Sequence, residues 1–433
     1  MPNKKIHLEK VNCNFEREPF LRPFGFKGGY MREIWQTVAY LESSSGESGM
    51  GMGTQSVLWS DASIFSSRSE SGGNALMFAL TEFALRRLPG LNYTTPLELL
   101  EAILEETHEY AKKITDNPEL RLTFTLNSLV AVDNAAWVLF ARENGITDFD
   151  EMIPEPYAKA LSCRHRKLAS IPLMAYAIPL DEIKAAVENG YFFIKIKIGS
   201  DPDKDGDREK MLQWDMKRIE EIHQAIGKVR IEHTKDGKIP YYFDANGRYD
   251  SKERLLRLLD HTKKIGAFDQ IAIIEEPFPE EYEVDVGDVG VRIAADESAH
   301  SDRDALRRIE MGYGAIALKP IAKTLSMTLK VLKAARERGI PCFCADLTVS
   351  PILVDWNKNV ASRLAPLPGM NIGVLETNGH QNYKRWDELL KFHPCYGAGW
   401  TRTVNGLFNL DDDFYKKSGG IFQMSRHYLE LVI

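Results

Sequence analysis

Three carboxylates stand at the ends of three consecutive apolar segments that we predict to be strands. They are Asp244 in YYFDA, Glu275 in IAIIE and Asp296 in VRIAAD. Carboxylates brought close together repel one another and raise one another's pKa unless a cation lies among them. Oxygen ligands of this kind suit Mg²⁺ or Mn²⁺, and no Cys/His group in the chain has the spacing of a zinc site. The pattern therefore predicts a site for a hard divalent cation.

Lysines flank these carboxylates in the order of the strands. Lys195 and Lys197 are two residues apart in YFFIKIKI, so a strand presents both on one face, and Lys319 follows GAIAL four strands later. A partly desolvated lysine near other cations has a lowered pKa and can act as a base. One lysine on each side of a substrate predicts proton removal from one face and delivery to the other. The cation would stabilise the negative charge that develops on a substrate carboxylate.

A single charged residue at a strand end is usually just solvated, because any strand end meets water. Here seven successive predicted strands end in charged residues, and the last two ends carry Asp346 and Glu376. A run of this length favours a functional site over solvation.

The segments that would hold these residues alternate between short apolar strands and amphipathic helices after Ile171. We predict eight strands, at 171–178, 191–198, 241–245, 271–275, 291–296, 314–319, 341–346 and 371–376. This alternation is typical of an α/β fold, the parallel (β/α)8 TIM-type barrel, whose functional groups lie at the carboxyl ends of the strands. A doubly wound open sheet is the alternative architecture. The long gap at 199–240 contains a predicted helix and an Asp-Gly hairpin turn, and we interpret it as an insertion.

The first 150 residues have a different pattern. Residues 34–41 (IWQTVAYL) predict a strand. The SSSGESGMGMG segment that follows predicts a hairpin or a flexible flap rather than a phosphate loop, because no lysine follows the glycines and no helical pattern begins there. From about residue 75 to 145, apolar residues at spacings of three and four predict helices. We therefore predict an α+β region at 1–150, a barrel at 151–390 and a separate C-terminal segment at 391–433.

Composition and charge exclude several classes of protein. The chain has 433 residues, a formal charge of −7 and 44% hydrophobic residues, which is ordinary for a globular protein. We find no apolar run near the ~20 residues that a membrane span needs and no leader like a signal peptide. A mildly acidic chain without long basic runs argues against a nucleic-acid surface. Five cysteines without a CxxC pair predict no disulfide framework and a reducing cytoplasm.

Five motifs, in order and at barrel spacing, resemble those of the enolase superfamily, and within it the muconate-lactonizing-enzyme subgroup of the mandelate racemase/muconate lactonizing enzyme family. The matching stretches are FIKIKIG, FDANG, IIEEPF, IAADES and ALKP. The resemblance implies that the N-terminal region is an α+β capping domain with an active-site flap, and that the end of the chain returns to this cap.

The resemblance also assigns roles to residues of this chain. It implies Mg²⁺ held by Asp244, Glu275 and Asp296, and Lys197 with Lys319 as the acid/base pair. Lys195 would lie near the substrate carboxylate and lower the pKa of Lys197. Asn246 would support the site, and Glu297 would lie just outside the metal ligands.

The implied chemistry is abstraction of the proton α to a carboxylate, giving a metal-stabilised enolate. Two lysines favour a racemase or epimerase, while a dehydratase (β-elimination) and a cycloisomerase begin with the same step. Two alternatives come from other classes: a Schiff-base lyase with one of the lysines as nucleophile, and a non-catalytic binding barrel. We expect a small-molecule carboxylate substrate and a homo-oligomer, and neither a nucleic-acid nor a membrane partner.

Three departures from the family pattern bear on the substrate. Mandelate-racemase relatives carry a histidine at the end of the seventh strand, where this chain has Asp346. Dipeptide epimerases carry Asp-x-Asp at the eighth, where this chain has Glu376 and Asn378, which argues against a dipeptide. Glu376 would contact a polar or cationic part of the substrate, or donate to its carboxylate if protonated. GMGMGTQS stands where the family often has a Gly-Trp-Gly-Glu-like flap, and with the 199–240 insertion it predicts an unusual substrate.

Overall fold

Long antiparallel strands begin the chain in the computed structural model, which describes residues 3–27 and 29–433. They form a four-stranded sheet in the order β3-β2-β1-β4. The strands are β1 (Ile6–Phe26), β2 (Gly29–Ser43), β3 (Ser48–Gln55) and β4 (Asn92–Tyr93). Seven helices follow or pack on this sheet: α1 (Val57–Ser60), α2 (Ala62–Arg68), α3 (Glu70–Leu85), α4 (Pro96–Thr115), α5 (Leu122–Asn144), α6 (Phe149–Met152) and α7 (Glu155–Ala158).

The glycine-rich segment forms the buried strand β3 and not a flap. It pairs antiparallel with β2 from Trp35↔Gln55 to Glu42↔Ser48, so the predicted hairpin is confirmed. Gly49 and Gly51 lie against α5, and a Cβ at Gly51 would lie 2.2 Å from the carbonyl oxygen of Ala131. Alternate glycines therefore let the helix rest on the strand backbone. The expectation of a mobile flap was wrong here because these glycines serve close packing.

Helix α5 is long and apolar enough to cross a membrane by length and composition, contrary to our reading of the sequence. Every residue in its most apolar 18-residue window is buried inside the protein, however. Its neighbours include β3 and the helices α3 and α4. This is the environment of a core helix, so the match carries little weight for a membrane span.

The second sheet is a parallel ring. Its first strand is split by Pro172 into β5 (Lys167–Ile171) and β6 (Leu173–Met174). The others are β7 (Ile194–Lys197), β8 (Tyr241–Asp244), β9 (Ile271–Glu275), β10 (Ile293–Ala295), β11 (Ala315–Leu318), β12 (Cys342–Cys344) and β13 (Gly373–Glu376). Each pairs in parallel with the next, β13 pairs with β5, and β6 pairs with β7. The predicted TIM-type α/β fold is confirmed, and the sequential order excludes a doubly wound sheet.

Helices surround this ring: α8 (Leu180–Glu188), α9 (Arg208–Ile226), α10 (Lys252–Lys264), α11 (Asp302–Glu310), α12 (Pro320–Lys323), α13 (Leu325–Glu337), α14 (Pro351–Ala361), α15 (Gly379–Asn382) and α16 (Trp386–Lys391). The 276–292 connection between β9 and β10 forms no helix. Helix α10 buries its leucines on one face and ends in basic residues, which suit the negative end of the helix dipole. Aromatic residues such as Phe193, Tyr242 and Phe343 fill the barrel interior.

The 199–240 gap does not form a lid. Its helix α9 is an ordinary barrel helix beside α8 and α10. The turn after it pairs Thr234 with Met370 and bonds Lys235 N to the carbonyl of Gly369 at 2.9 Å. Residues 369–370 precede β13, so this turn covers the amino ends of the strands. Only the start of the gap, directly after β7, lies at the end that carries the charged residues, so most of it cannot select a substrate.

The last part of the chain touches both sheets. The hairpin of β14 (Thr403–Val404) and β15 (Leu407–Asn409) pairs with β5, and the helices α17 (Asp412–Lys417) and α18 (Arg426–Leu429) follow. Side chains of β1 then bind the chain end: Asn12 donates to the carbonyl of Val432 at 2.8 Å, and Asn14 to that of Leu431 at 3.0 Å. The boundaries at residues 150 and 390 stay predictions.

Candidate active site

The charged residues singled out in the sequence converge at the carboxyl ends of the barrel strands. Strand β7 carries Lys195 and Lys197, and β8, β9 and β13 end in Asp244, Glu275 and Glu376. The others follow β8, β10, β11, β12 and β13 within two residues: Asn246, Asp296, Glu297, Lys319, Asp346 and Asn378. All eleven side chains are buried. A parallel ring dictates this convergence, because all strands end on the same side.

Lys195 is the centre of the largest group of charges. Its Nζ lies 2.9 Å from Asp244 Oδ2, 3.2 Å from both Glu275 oxygens and 3.1 Å from Glu376 Oε2. Burial lowers the pKa of Lys195, but the charges of these three carboxylates more than offset it, so the pKa stands well above its usual value. Lys195 therefore stays positively charged, and Glu376 is one of its ion-pair partners.

A series of polar contacts connects Lys197 to the cap. Its Nζ lies 2.5 Å from Asp244 Oδ2 and also bonds Asn246 Oδ1. Asn246 donates from Nδ2 to Glu297 Oε1 at 3.0 Å. The same Glu297 oxygen lies 3.0 Å from Nζ of Lys27, at the end of β1. Sequence reasoning missed Lys27, because nothing local marks a lysine whose partner lies 270 positions away.

Lys319 faces the site from the opposite side of the ring. It forms an ion pair with Asp296 Oδ2, and its Nζ lies 4.7 Å from the centroid of the Trp59 ring. Lys323, which we did not predict, donates to the carbonyl oxygens of Asp296 at 2.5 Å and of Ala299 at 3.1 Å. It is the last residue of α12, and Lys319 directly precedes that helix, so the second lysine in KPIAK was the available signal.

The pKa of Lys319 is raised, not lowered as we expected. Burial alone would lower it, but the charges of Asp296 and Glu275 outweigh burial. We expected neighbouring cations to lower it, but the charges of Asp296 and Glu275 have a larger effect than that of Lys195. Burial also raises the pKa of Asp346 to about 7, with the charge of Glu376 adding to it.

The carboxylates at this end of the barrel fit a divalent cation. Oxygens of Glu275, Asp296 and Glu297 lie within 4.8 Å of one another. Glu297 Oε2 is buried without a hydrogen-bond partner among the described residues, which is costly unless a cation compensates. Asp296 Oδ1 also makes no hydrogen bond there, but it lies 3.3 Å from Nζ of Lys323. Asp244 lies outside this group because it is paired with both lysines of β7. The compact set therefore contains Glu297 in the place where we expected Asp244.

The charge balance of the same region points in the same direction. The buried carboxyl groups of the described residues here number seven and the lysines paired with or facing them five, which leaves two negative charges if all are ionised. Burial raises the pKa of Glu275 to about 8 and that of Glu276 and Asp346 to about 7, so without a bound cation protonation removes part of this excess. The carboxylates are Asp244, Glu275, Glu276, Asp296, Glu297, Asp346 and Glu376, and the lysines are Lys27, Lys195, Lys197, Lys319 and Lys323. A bound divalent cation would neutralise this excess.

A pocket lies between these residues and the cap, with about 420 Å³ of empty space, part of which is open to solvent. Lys195, Lys197 and Lys319 line its floor, and Asp346, Glu376 and Asn378 line one side. The roof comes from the end of β1, the first half of β2 and the segment around the start of α1, with Phe24, Phe26, Met31, Ile34, Ser56 and Trp59. The covering role that we gave to GMGMG therefore belongs to these segments.

Residues 180–380 match the family model described as enolase C-terminal domain-like. That match covers the strands β7 to β13 that carry the charged residues. This region of the chain belongs to the enolase C-terminal domain-like family. The chain's N-terminal antiparallel sheet and parallel ring also match solved members of the mandelate racemase/muconate lactonizing enzyme group.

Relatives within the superfamily include enzymes of more than one reaction. The chain is 29% identical over 163 residues to the L-Ala-D/L-Glu epimerase of Clostridium acetobutylicum, a match that spans 36% of this chain and 39% of that protein. Among solved structures, it is similar to the dipeptide epimerase of Enterococcus faecalis V583 complexed with Mg and the dipeptide L-Leu-L-Tyr, with a TM-score of 0.63 and 16% identity over 94% of this chain and 97% of that one.

A dehydratase has the same fold. The L-talarate dehydratase from Polaromonas sp. JS666, complexed with Mg and L-glucarate, matches with a TM-score of 0.60 and 16% identity over 86% of this chain and 87% of that one. At such identities the likeness establishes the architecture alone.

Proposed function

We propose that this protein removes the proton α to a substrate carboxylate and is a racemase or epimerase in which Lys197 and Lys319 work on opposite faces. The observation that carries the proposal is their placement. Lys197 ends β7 and Lys319 follows β11, four strands away in an eight-stranded ring, and both line the same cavity. A carbon atom between them can lose a proton to one lysine and receive one from the other.

The residues of the chain divide the work between them. Asn246 and Asp244 hold Lys197 from one side, and Asp296 with the Trp59 ring holds Lys319 from the other. Lys195, a permanent cation, would bind the substrate carboxylate. In each turnover one lysine, in its neutral form, takes the α-proton. The other lysine is protonated and returns a proton to the opposite face of the same carbon. Burial of both excludes water and keeps these protons within the site.

We propose Mg²⁺, or Mn²⁺, as the cofactor, held by Asp244, Glu275 and Asp296, with Glu297 close enough to take part. When bound, such a cation supplies positive charge that stabilises the anion formed as the proton leaves. Oxygen-only ligands suit these ions.

Other reactions of this cavity are less well supported. A dehydratase or cycloisomerase needs the same first step but no second lysine on the opposite face. A Schiff-base lyase or a binding barrel would leave the buried carboxylate group without a purpose. We further propose that the partner is a small carboxylate and that the protein is a cytoplasmic homo-oligomer.

Exchange in D₂O tests the proposal. A library of carboxylates with both enantiomers of each is incubated with the protein and Mg²⁺, and α-deuteration is followed by NMR. We expect deuteration of both enantiomers by the native protein, while Lys197→Ala and Lys319→Ala each lose it for one enantiomer. Lys264→Ala, an exposed lysine of α10, is the control. Deuteration of both enantiomers by both site variants would reject the two-lysine proposal. Activity that persists in EDTA, together with a covalent substrate adduct that borohydride traps, would indicate a Schiff base.

A further inference from the structure

The roof of the cavity is apolar. Phe24 and Phe26 at the end of β1, Met31 and Ile34 in β2 and Trp59 in α1 line it, and Leu173 and Leu347 extend the same surface from the barrel. Met31, Ile34 and Trp59 are each no more than 3% exposed. Since apolar surface favours apolar contact in proportion to the area buried, this roof suits a hydrocarbon or aromatic group, and it offers a polyol few hydrogen-bond partners.

The polar side chains along one side of the cavity are hydrogen-bonded to neighbouring side chains and backbone N–H groups of the protein. Asp346 accepts hydrogen bonds from the backbone N–H groups of Leu347 at 2.8 Å and Asn378 at 2.7 Å. Glu376 Oε2 accepts from the N–H of Asp346 at 3.0 Å and from Lys195 at 3.1 Å. The side-chain oxygen of Asn378 accepts from Thr348 at 2.6 Å. The carboxylates on this side are already hydrogen-bonded within the protein, so a substrate ammonium would have to compete with these donors.

One donor on the roof is without a partner. The indole Nε1 of Trp59 is buried and makes no hydrogen bond with any described residue, although its ring lies beside Lys319. A buried N–H without an acceptor is unfavourable, so a bound molecule that brings an acceptor here gains from it.

We infer that the substrate is a carboxylate whose remaining part is uncharged and largely apolar and carries a hydrogen-bond acceptor, such as an amide or ester carbonyl. The inference rests on the proposed function for the carboxylate end and concerns only the rest of the molecule. It sets this chain apart from the relative complexed with a dipeptide and from the one complexed with L-glucarate, because a free dipeptide carries an ammonium group and glucarate carries several hydroxyl groups.

A matched pair of ligands that differ by one ammonium group tests the inference. The free dipeptide L-alanyl-L-phenylalanine, its N-acetyl derivative and a six-carbon aldonic acid are titrated into the full-length protein in Mg²⁺ buffer by calorimetry. We expect the N-acetyl dipeptide to bind at least about tenfold more tightly than either other probe, because an ammonium in a buried site is costly unless it is paired. Failure of the N-acetyl dipeptide to bind, or equal or tighter binding of either other probe, overturns the inference.

The outcome is separable from that of the proposed function. α-Deuteration of free dipeptides or aldonic acids would support the reaction and overturn the inference. Tight binding of the N-acetyl dipeptide without α-deuteration of any carboxylate would support the inference and reject the proposed reaction.

Trp59→Phe keeps an aromatic ring, although a smaller one, and removes the N–H donor. We expect it to weaken binding of the N-acetyl dipeptide about three- to tenfold, as for the loss of one hydrogen bond. Trp214→Phe is the control, because Trp214 packs on Tyr176 outside the cavity. Equal affinities of the two variants would show that the substrate needs no hydrogen-bond acceptor at Trp59. Circular dichroism verifies that both variants are folded.

Discussion

Lys27 of the cap and Glu297 of the barrel form a buried ion pair, with 3.0 Å between Nζ and Oε1. Lys27 also donates to the carbonyl oxygen of Trp59 at 2.9 Å. The pair therefore joins the β1–β2 turn, the roof of the cavity and the residue next to Asp296. Glu297 in turn contacts Asn246, which holds Lys197, so the cap and the proposed base are in one network.

Removal of Lys27 tests how much this pair holds the cap on the barrel. Lys27→Met leaves the Glu297 carboxylate buried and unpaired, and we expect a loss of about 3–5 kcal/mol in the free energy of unfolding. Lys10→Met on the same strand is the matched control, because Lys10 pairs with Glu42 at 2.5 Å but is 69% exposed, and we expect at most about 1 kcal/mol there. Guanidinium unfolding measures both, and equal losses would contradict a joining role.

Substitution of the carboxylates tests the metal site. We expect Glu275→Gln and Asp296→Asn each to weaken Mg²⁺ binding by at least about tenfold, because each removes a charged oxygen ligand. Comparing Asp244→Asn with Glu297→Gln decides which of them completes the ligand set. Asp355→Asn is the control, since Asp355 is buried but pairs with Lys358 in α14. Calorimetry gives the affinities, and unchanged binding in all four site variants would reject the site.

The raised pKa of Asp346 predicts a pH dependence of stability. In the folded protein its pKa is about 7, because of burial first and the charge of Glu376 second, whereas an unfolded aspartate titrates near 4. The folded state therefore holds the proton more tightly. The resulting stabilisation is fully present below about pH 4 and is lost as the pH rises through about 7.

The measurement is urea unfolding at about pH 5 and about pH 8, of the native protein and of Asp346→Asn, in EDTA. We expect the native protein to lose more stability than the variant over this range, by an amount on the order of a few kcal/mol. Asp387→Asn, at an exposed aspartate, should behave as the native protein does. A steeper loss in Asp346→Asn would show that the sign is wrong.

Packing of β3 on α5 predicts that Gly51 accepts no side chain. A Cβ there would lie 2.2 Å from both the Ala131 oxygen and the Ala135 nitrogen, which are backbone atoms that cannot rotate away. We expect Gly51→Ala to cost about 1–3 kcal/mol or more in unfolding free energy. Gly399→Ala, where no atom lies within 4 Å, should change stability by less than about 0.5 kcal/mol. A tolerated Gly51→Ala would restore the flap that we first predicted.

The barrel could be predicted from the sequence because its signals are local. Buried parallel strands are short apolar runs, their helices have a three- and four-residue periodicity, and a charge directly after such a run is visible without knowledge of the fold. For this reason the eight strands and the eleven residues at their ends were predicted from the sequence, and the structure brings those residues together.

The errors have equally physical causes. GMGMG was taken for a flap because glycine is flexible by itself, and only the presence of α5 makes each glycine a contact point. The pKa of Lys319 was predicted in the wrong direction because its sign depends on whether the nearest charge is Asp296 or another lysine. Both answers depend on neighbours that are distant in the sequence.

The sequence by itself determined the barrel, the order of its strands and the kind of chemistry that carboxylates and lysines at their ends can support, since each follows from patterns within a few residues. Only the tertiary structure decided that Lys27 pairs with Glu297, that the roof is aromatic and that Asp346 and Glu376 are already bonded. These are contacts between segments far apart in the chain, and they arise when burial forces polar groups to find partners.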